Sequence, residues 1–474
     1  MFLRQVFDSS LSQYAYLIAC QATGEAIVFD PERDVDRYLA LAEEQGFRIV
    51  AAAETHIHAD FLSGTRELAE RVGCHLYLSD EGAEQGWPSA WAKDTRYATT
   101  FLKDGDVFKI GNITFTVLKT PGHTPEHIAY LVTDAKARSP MGIITGDFLF
   151  VGDLGRPDLL EKAAKIDNTA EASAKALFSS AQNLLGWGDR DHLLVWPAHG
   201  AGSACGKGLG AVPHSSLGYE RLQNPALAKV REGQKAFVDH ILSGQPEPPL
   251  YFARMKALNR DGVPLLPKLP EPRRLSVQEL GTVIEEGRLL PVDAREAKLD
   301  FLSRHLPGSL FAPFSSNFST VVGSLVEDPS APILLVIESD HEEEAIRRLV
   351  RIGYDQIEAV VHLDTLARYF FEGGKSASIP TIDFAQAEQL RKKGAAVVDL
   401  RFKHEYDSGH VPGAIHAPYT RLPELLKDIP ASSQIVAHCH AGLRAAVSSA
   451  YLQRKGFKVS AVNDHIDHYK EIRD

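Results

Sequence analysis

The sequence predicts a multidomain α/β protein. Short apolar segments alternate with amphipathic ones, a proline-rich stretch divides the chain after residue 245, and two similar segments follow that stretch. The 474 residues suffice for roughly two to four domains with ordinary buried cores.

The region 1–245 reads as alternating strands and helices. Residues 26–29 and 48–53 have the continuous apolar character of buried strands, and Ser63–Val72 has the apolar spacing of a helix. Gly111-Asn112 predicts a tight hairpin turn between two strands of alternating polarity. Further strands are expected at 107–110, 113–117, 142–145 and 193–196.

The segment 246–273 is rich in proline, with Pro246, Pro248 and Pro249 at its start. Proline lacks the backbone N–H that helices and sheets need, so we expect a linker or wrapped connector there, without helix or sheet.

The chain after this linker contains an internal duplication. The sequence LLPVDAR at 289–295 is matched by AVVDLR at 396–401, and HLPGS at 305–309 is matched by HVPGA at 410–414. Each copy continues with an apolar strand and a helix that ends before a glycine, which is typical of parallel α/β units. The expected division is 1–245, the linker 246–273, and two α/β domains at 274–372 and 380–474.

Composition excludes several classes of function. The net charge of −11 gives no electrostatic basis for binding nucleic acid or an anionic membrane, and no apolar run is long enough to span a bilayer. Four scattered cysteines indicate free thiols in a reducing compartment, and the N-terminus lacks the pattern of a signal peptide. We therefore expect a cytoplasmic protein.

Histidines and carboxylates follow four of the predicted strands. They occur in THIHAD at 55–60, PGHT at 121–124, TGD at 145–147 and PAHG at 197–200. Loops at strand ends are where α/β proteins place binding groups, and imidazole with carboxylate suits zinc or iron. The candidate residues are His56, His58, Asp60, His123, Asp147 and His199.

These four motifs, in this order, resemble the metallo-β-lactamase superfamily. The resemblance implies an αββα sandwich over about residues 1–245, with the metal at one edge. Two-metal members have a histidine directly after the aspartate, but here Phe61 follows Asp60. A phenyl ring offers no lone pair, so we expect a single metal.

Single-iron members of this superfamily are the persulfide dioxygenases. The resemblance implies one Fe(II) per chain, bound by His56, His123 and Asp147, with zinc as a possible substitute. Such a two-histidine, one-carboxylate set leaves coordination positions open for substrate and O₂. It also implies that His58, Asp60 and His199 line the pocket, although His58 as a fourth ligand on zinc remains an alternative.

Two further residues near this site are left with open roles. Arg156, in the loop after Asp147, either holds a carboxylate of the thiol substrate or forms an ordinary ion pair. Cys205, in the small-residue loop after His199, either carries sulfur or is a structural thiol.

A second candidate site lies in the sequence CHAGLR at 439–444. The loop follows an apolar strand and precedes a helix, so backbone N–H groups should converge on its centre and stabilise a Cys439 thiolate as a nucleophile. Arg444 could meet an anionic sulfur compound. With Asp399 and the HVPGA motif, this segment resembles the rhodanese fold.

The first copy carries the acidic sequence ESDHEEE at 338–344 where the loop is expected, and no cysteine lies between Cys205 and Cys439. We interpret residues 274–372 as an inactive rhodanese domain.

The whole chain thus resembles fusions of a persulfide dioxygenase with an inactive and an active rhodanese. The resemblance implies oxidation of a small thiol persulfide by O₂ to sulfite, and sulfur transfer at Cys439 that gives thiosulfate, as in sulfide detoxification. We expect a homo-oligomer. The alternatives are a glyoxalase II-type zinc thioester hydrolase with an accessory rhodanese, and a sulfur-sensing scaffold.

Overall fold

The structure is a computed structural model that describes residues 1–93, 96–162 and 168–473. The chain forms two compact units, Met1–Pro267 and Lys268–Asp474. Within the described residues, no helix combines the length and the apolar character that a membrane span requires.

The first unit contains two six-stranded sheets. In the first sheet the strands lie side by side in chain order, antiparallel for the first three and parallel thereafter. Its strands are β1 (Phe2–Asp8), β2 (Gln13–Cys20), β3 (Glu25–Phe29), β4 (Arg48–Ala53), β5 (His75–Ser79) and β6 (Thr99–Leu102).

The second sheet has the order β12-β11-β10-β9-β8-β7, and only its β10–β11 pair is parallel. The predicted hairpin is confirmed, since Ile110 pairs with Ile113 across the turn at Gly111-Asn112. The strands are β7 (Val107–Ile110), β8 (Ile113–Lys119), β9 (Ile128–Thr133), β10 (Gly142–Gly146), β11 (Leu194–Pro197) and β12 (Ser215–Ser216).

Three large apolar clusters pack the layers of this unit together. One cluster lies between the sheets and joins side chains such as Phe29 of β3 and Phe115 of β8. The other two pack helices onto the outer faces of the sheets, giving the predicted αββα sandwich. The helices are α1 (Asp36–Glu44), α2 (Thr65–Val72), α3 (Leu159–Lys162), α4 (Ala170–Leu185), α5 (Leu217–Gln223), α6 (Pro225–Glu232), α7 (Gln234–Leu242) and α8 (Tyr251–Asp261).

Helix α8 corrects the expectation for the segment 246–273. The prolines at its start end with Pro249, and the next proline, Pro264, follows Gly262, so the eleven residues of α8 contain none. Proline before a helix or beyond its end does not interrupt the hydrogen bonds of the helix. The first compact unit includes α8 and continues to Pro267.

The second unit contains two five-stranded parallel sheets with the same strand order. The first has the order β13-β17-β16-β14-β15 and the second has β18-β22-β21-β19-β20. The strands are β13 (Arg273–Arg274), β14 (Leu290–Asp293), β15 (Leu310–Phe311), β16 (Ile333–Ile337), β17 (Ile357–His362), β18 (Thr381–Ile382), β19 (Ala396–Asp399), β20 (Ile415–His416), β21 (Ile435–His438) and β22 (Val459–Val462).

We call the part with β13–β17 the first repeat and the part with β18–β22 the second repeat. Helices connect the strands in both repeats. They are α9 (Val277–Glu286), α10 (Lys298–Ser303), α11 (Phe318–Leu325), α12 (Glu342–Arg351), α13 (Leu363–Phe371), α14 (Phe384–Lys392), α15 (Lys403–Asp407), α16 (Leu422–Leu425), α17 (Leu443–Arg454) and α18 (Ile466–Arg473).

One ion pair recurs in both repeats with the same geometry. Nη2 of Arg295 lies 2.6 Å from Asp293, and Nη2 of Arg401 lies 2.6 Å from Asp399. Each pair closes the turn after the corresponding strand, β14 or β19, so the duplication in the sequence is also a duplication in structure.

Candidate metal centre and sulfur-transfer loop

The first candidate site lies where strands of both sheets end in the first unit. His56 follows β4, His123 follows β8, Asp147 follows β10 and His199 follows β11. All four side chains are buried. Ligand atoms of His56, His123 and Asp147 lie within 4.8 Å of one another, so the structure brings together the three residues that the resemblance implies as ligands.

The ligand atoms of His56, His123 and Asp147 face one another. Nε2 of His123 lies 3.3 Å and Nε2 of His56 lies 3.8 Å from Oδ2 of Asp147. Among the described residues, His123 Nε2 and both Asp147 carboxylate oxygens make no hydrogen bond. Buried polar atoms are almost always satisfied, so this convergent set fits a bound metal cation.

The opposite ring nitrogens of the two histidines are anchored. Nδ1 of His56 lies 2.9 Å from the Thr55 hydroxyl, and that hydroxyl donates to Asp30. Nδ1 of His123 lies 2.9 Å from the carbonyl oxygen of Arg156. Burial lowers the pKa of His56 and of His123 well below the usual value, so both rings are neutral and able to bind metal at neutral pH.

Asp147 is held by His127, a buried histidine four residues after His123. The Asp147 amide donates to Nε2 of His127, and Nδ1 of His127 contacts the Thr120 hydroxyl at 2.8 Å. Burial raises the pKa of Asp147 to about 6, which still leaves most of the carboxylate ionised at neutral pH.

A second group of ligand-type side chains lies beside the first. Nε2 of His199 is 3.4 Å from Asp60 and 3.5 Å from Asp147. Cys205 completes this group, whose ligand atoms also lie within 4.8 Å of one another. Burial, with the charges of Asp147 and Asp60, raises the pKa of the Cys205 thiol well above its usual value. The sequence placed Asp60 and His199 at the pocket and Cys205 in the loop after His199, but it did not indicate that the three side chains form one group.

His58 faces a different partner. Its Nε2 lies 3.1 Å from Oδ1 of Asp30, and its Nδ1 has no hydrogen-bond partner within the described part of the chain. Burial lowers the pKa of His58, but Asp30 outweighs burial and raises that pKa to about 9. The Phe61 ring is fully buried with its centroid 4.4 Å from the His58 ring.

Arg156 forms an ion pair, which was one of the two roles that the sequence left open. Its guanidinium binds both carboxylate oxygens of Asp158 at 2.7 and 2.9 Å and donates to the carbonyl of Ala204 at 3.0 Å. The side chain is completely buried, so a role in binding the substrate carboxylate does not fit this geometry.

Helix α8 supplies two buried residues that the sequence did not suggest. Asn259 donates to the carbonyls of His58 and Phe61 at 2.9 and 2.7 Å and accepts from the amide of Ser63 at 2.9 Å. Lys256 donates to the carbonyl of Ile57 at 3.2 Å, and burial lowers its pKa. Both therefore hold the loop that carries His56 and Asp60, and the proline-rich surroundings of α8 concealed them.

The second candidate site is the loop 439–444 between β21 and α17. Cys439 is only 2% exposed, and the amide of Gly442 donates to its Sγ at 3.1 Å. Gly442 has φ of 91°, and a Cβ there would lie 2.7 Å from Oδ1 of Asn463. Glycine is thus required for the turn that directs an amide at the sulfur.

Arg444 differs from the expectation of a guanidinium available to an anion. It makes two hydrogen bonds to the Glu405 carboxylate, at 2.5 and 2.7 Å. The positive charge of Arg444 is therefore compensated by an acidic neighbour.

In the first repeat, the acidic sequence at 338–344 runs from the end of β16 into the first turn of α12. Glu342 accepts hydrogen bonds from Arg274 and contacts His362 at 2.7 Å, so its carboxylate is part of a local network. The equivalent of the Cys439 loop contains no thiol.

Two family profiles match the chain. Residues 10–199 match the Metallo-beta-lactamase superfamily, and residues 383–471 match the Rhodanese-like domain.

A solved metallo-beta-lactamase from Staphylococcus aureus subsp. aureus COL is 37% identical, with a TM-score of 0.66. The alignment covers 76% of this chain and 99% of that protein.

Curated relatives match over shorter stretches. Persulfide dioxygenase ETHE1 from Bos taurus is 29% identical over 34% of this chain and 58% of its own length. A hydroxyacylglutathione hydrolase from Rhodospirillum rubrum is 33% identical over 30% of this chain and 50% of its own length. The chain thus spans about half the length of the curated relatives it matches.

These matches confirm the predicted class of fold and the fusion of two kinds of domain. The chain belongs to the metallo-β-lactamase superfamily and carries a rhodanese-like domain at residues 383–471.

Proposed function

We propose that this protein is an iron-dependent persulfide dioxygenase joined to a sulfurtransferase. The observation that carries the proposal is the buried group of His56, His123 and Asp147, whose ligand atoms converge. Among the described residues, His123 Nε2 and both Asp147 oxygens make no hydrogen bond. Two imidazoles and one carboxylate are the ligands of non-haem iron oxygenases. The likeness to persulfide dioxygenase ETHE1 supports the choice of substrate.

The overall reaction consumes a thiol persulfide, O₂ and water and yields the thiol, sulfite and protons. Ferrous iron, when bound, supplies the redox chemistry and the open coordination positions that O₂ requires. The residues of this chain provide two neutral imidazoles, an ionised carboxylate and a buried setting. Anchored Nδ1 atoms keep each imidazole turned toward Asp147.

The rhodanese-like domain would carry out the second reaction, which is the transfer of sulfur to sulfite. Cys439 attacks the outer sulfur of a thiol persulfide and becomes a cysteine persulfide, while the small thiol leaves. Sulfite then takes that sulfur, which gives thiosulfate and returns the Cys439 thiol. The Gly442 amide, already directed at the sulfur, stabilises negative charge on it.

A matched pair of variants tests the first reaction. His123→Ala removes one converging imidazole and should abolish both iron binding and persulfide-dependent O₂ uptake. His192→Ala changes an exposed histidine of the same unit and should leave both unchanged. Tryptophan fluorescence confirms that each variant is folded. Full O₂ uptake by folded His123→Ala would contradict the ligand assignment.

A zinc-dependent thioester hydrolase is the second candidate. The observation that favours it is the adjacent group of Asp60, His199 and Cys205, which could hold a second metal. The likeness to hydroxyacylglutathione hydrolase points the same way. Two zincs per chain together with thioester cleavage, and no O₂ uptake on persulfide, would favour this candidate over the dioxygenase.

A further inference from the structure

The first repeat of the second unit packs on helix α17, which begins at the Cys439 loop. Nε2 of His305 contacts Oε1 of Gln453 at 3.0 Å, and Arg454 donates to the carbonyl of Gly308 at 2.9 Å. The Tyr451 hydroxyl donates to the carboxylate of Glu327 in the first repeat at 3.0 Å. A repeat that lacks a cysteine is therefore fixed to the helix that carries the reactive loop of the other repeat.

Lys298 extends this contact to the loop itself. It is the first residue of α10, and its Nζ donates to the carbonyl of Ala441 at 2.9 Å. A Cβ added to Gly442 would lie 3.0 Å from the same Nζ. The ammonium group thus lies against the peptide whose amide donates to the sulfur of Cys439.

The charge of Lys298 differs from that of Arg444. The positive charge of Arg444 is balanced by the carboxylate of Glu405, with which it makes two hydrogen bonds. Lys298 forms no ion pair with a carboxylate among the described residues, and its contact in the loop is a carbonyl. Lys298 therefore brings an uncompensated positive charge to this loop.

We propose that Lys298 is a positioning residue of the sulfur-transfer site, by which the first repeat both holds the Cys439 loop and attracts anionic sulfur compounds to it. The inference rests on the proposed function insofar as the loop transfers sulfur. It gives the repeat without a cysteine a role in the site of its neighbour. The substrates concerned are oxyanions of sulfur, which are negatively charged at neutral pH.

Paired alkylating reagents test the charge without assuming any activity. Iodoacetate is anionic and iodoacetamide is neutral, so the ratio of their rates at Cys439 reports the local potential and is insensitive to the fraction of thiolate. Peptide mapping by mass spectrometry of the full-length protein identifies the modified cysteine. Lys298→Met should lower the iodoacetate to iodoacetamide ratio about two- to five-fold at low salt.

Two further variants separate the charge from the hydrogen bond. Lys298→Arg retains the cation and should keep the wild-type ratio. Lys298→Gln can still donate to the Ala441 carbonyl but lacks the charge, so its ratio should fall as in Lys298→Met. Arg288→Met removes an exposed cation paired with Glu358 in the same repeat and serves as the control.

The proposal is overturned if Lys298→Met and Lys298→Gln keep the wild-type ratio, or if Arg288→Met lowers it equally. With thiosulfate as sulfur donor, we expect a higher KM in Lys298→Gln with a smaller change in kcat. If the wild type shows no sulfur transfer, the proposed function of the loop fails, whereas the alkylation ratio still decides the role of Lys298.

Discussion

Asn259 offers the clearest test of how α8 supports the metal centre. The Asn259→Ala change removes three hydrogen bonds to the main chain of the loop between His58 and Ser63. Each main-chain group left unpaired in a buried setting costs about 1–3 kcal/mol. We expect the free energy of unfolding to fall by about 3 kcal/mol, the lower end of that range summed over three groups.

Tryptophan fluorescence measures this effect in the first unit alone. All four tryptophans of the chain lie within Met1–Pro267, so unfolding of the second unit does not contribute tryptophan signal. At a slope of about 2 kcal/mol per molar urea, the midpoint should fall by about 1–2 M. The metal affinity should fall as well, because the same loop carries His56.

The matched control is Asp261→Ala, which changes an exposed residue at the end of the same helix. Exposed substitutions of this kind alter stability by about 0.5 kcal/mol or less. If Asn259→Ala and Asp261→Ala unfold at the same urea concentration, α8 does not hold the metal-binding loop, and the reasoning is wrong.

Three other changes probe the remaining features. Arg156→Met should lower the stability of the first unit by about 1–3 kcal/mol, because the Ala204 carbonyl loses its donor and Asp158 keeps only Lys162 as a charged partner. A raised KM for persulfide with unchanged urea unfolding would instead indicate a substrate contact. Cys439→Ser should leave O₂ uptake intact and make sulfite accumulate in place of thiosulfate, as measured by product analysis; an unchanged product ratio would exclude Cys439 from the second step. Burial raises the pKa of Asp399, but hydrogen bonds from Arg401 outweigh it, so the net pKa lies below the usual 3.8. The Asp399–Arg401 pair therefore stabilises the fold at pH values above the usual pKa of Asp399, and this stabilisation is lost as the pH falls through the lowered pKa. In Asp399→Asn, acid should destabilise the second unit less than in the wild type, as measured by circular dichroism.

The parts of the fold set by local pattern were predictable. Alternating polarity around Gly111-Asn112 gave the β7–β8 hairpin, and the repeated Asp-x-Arg at 293–295 and 399–401 gave the duplicated sheets. The ligand candidates were also predictable, because histidines and carboxylates after strand ends must meet at one edge of a sandwich.

The parts of the fold and of the site that depend on contacts between distant residues could not be predicted. Cys205 joins Asp60 and His199 only through the fold, and α8 was hidden because the prolines around it outweighed its proline-free interior.

The ion pair of Arg156 had a local signal, since Asp158 lies two residues away, the same spacing as in the two Asp-x-Arg pairs.

The central claim is that the first unit oxidises a persulfide at a single iron. The most direct measurement loads the full-length protein with ferrous iron without oxygen, counts the bound metal, and records O₂ uptake and sulfite formation from a small thiol persulfide. To keep sulfite from being consumed, the protein carries Cys439→Ser. The account predicts one iron per chain and one O₂ consumed per sulfite formed. Iron-loaded protein that forms no sulfite, or that binds two metals and cleaves a thioester without O₂, would contradict it.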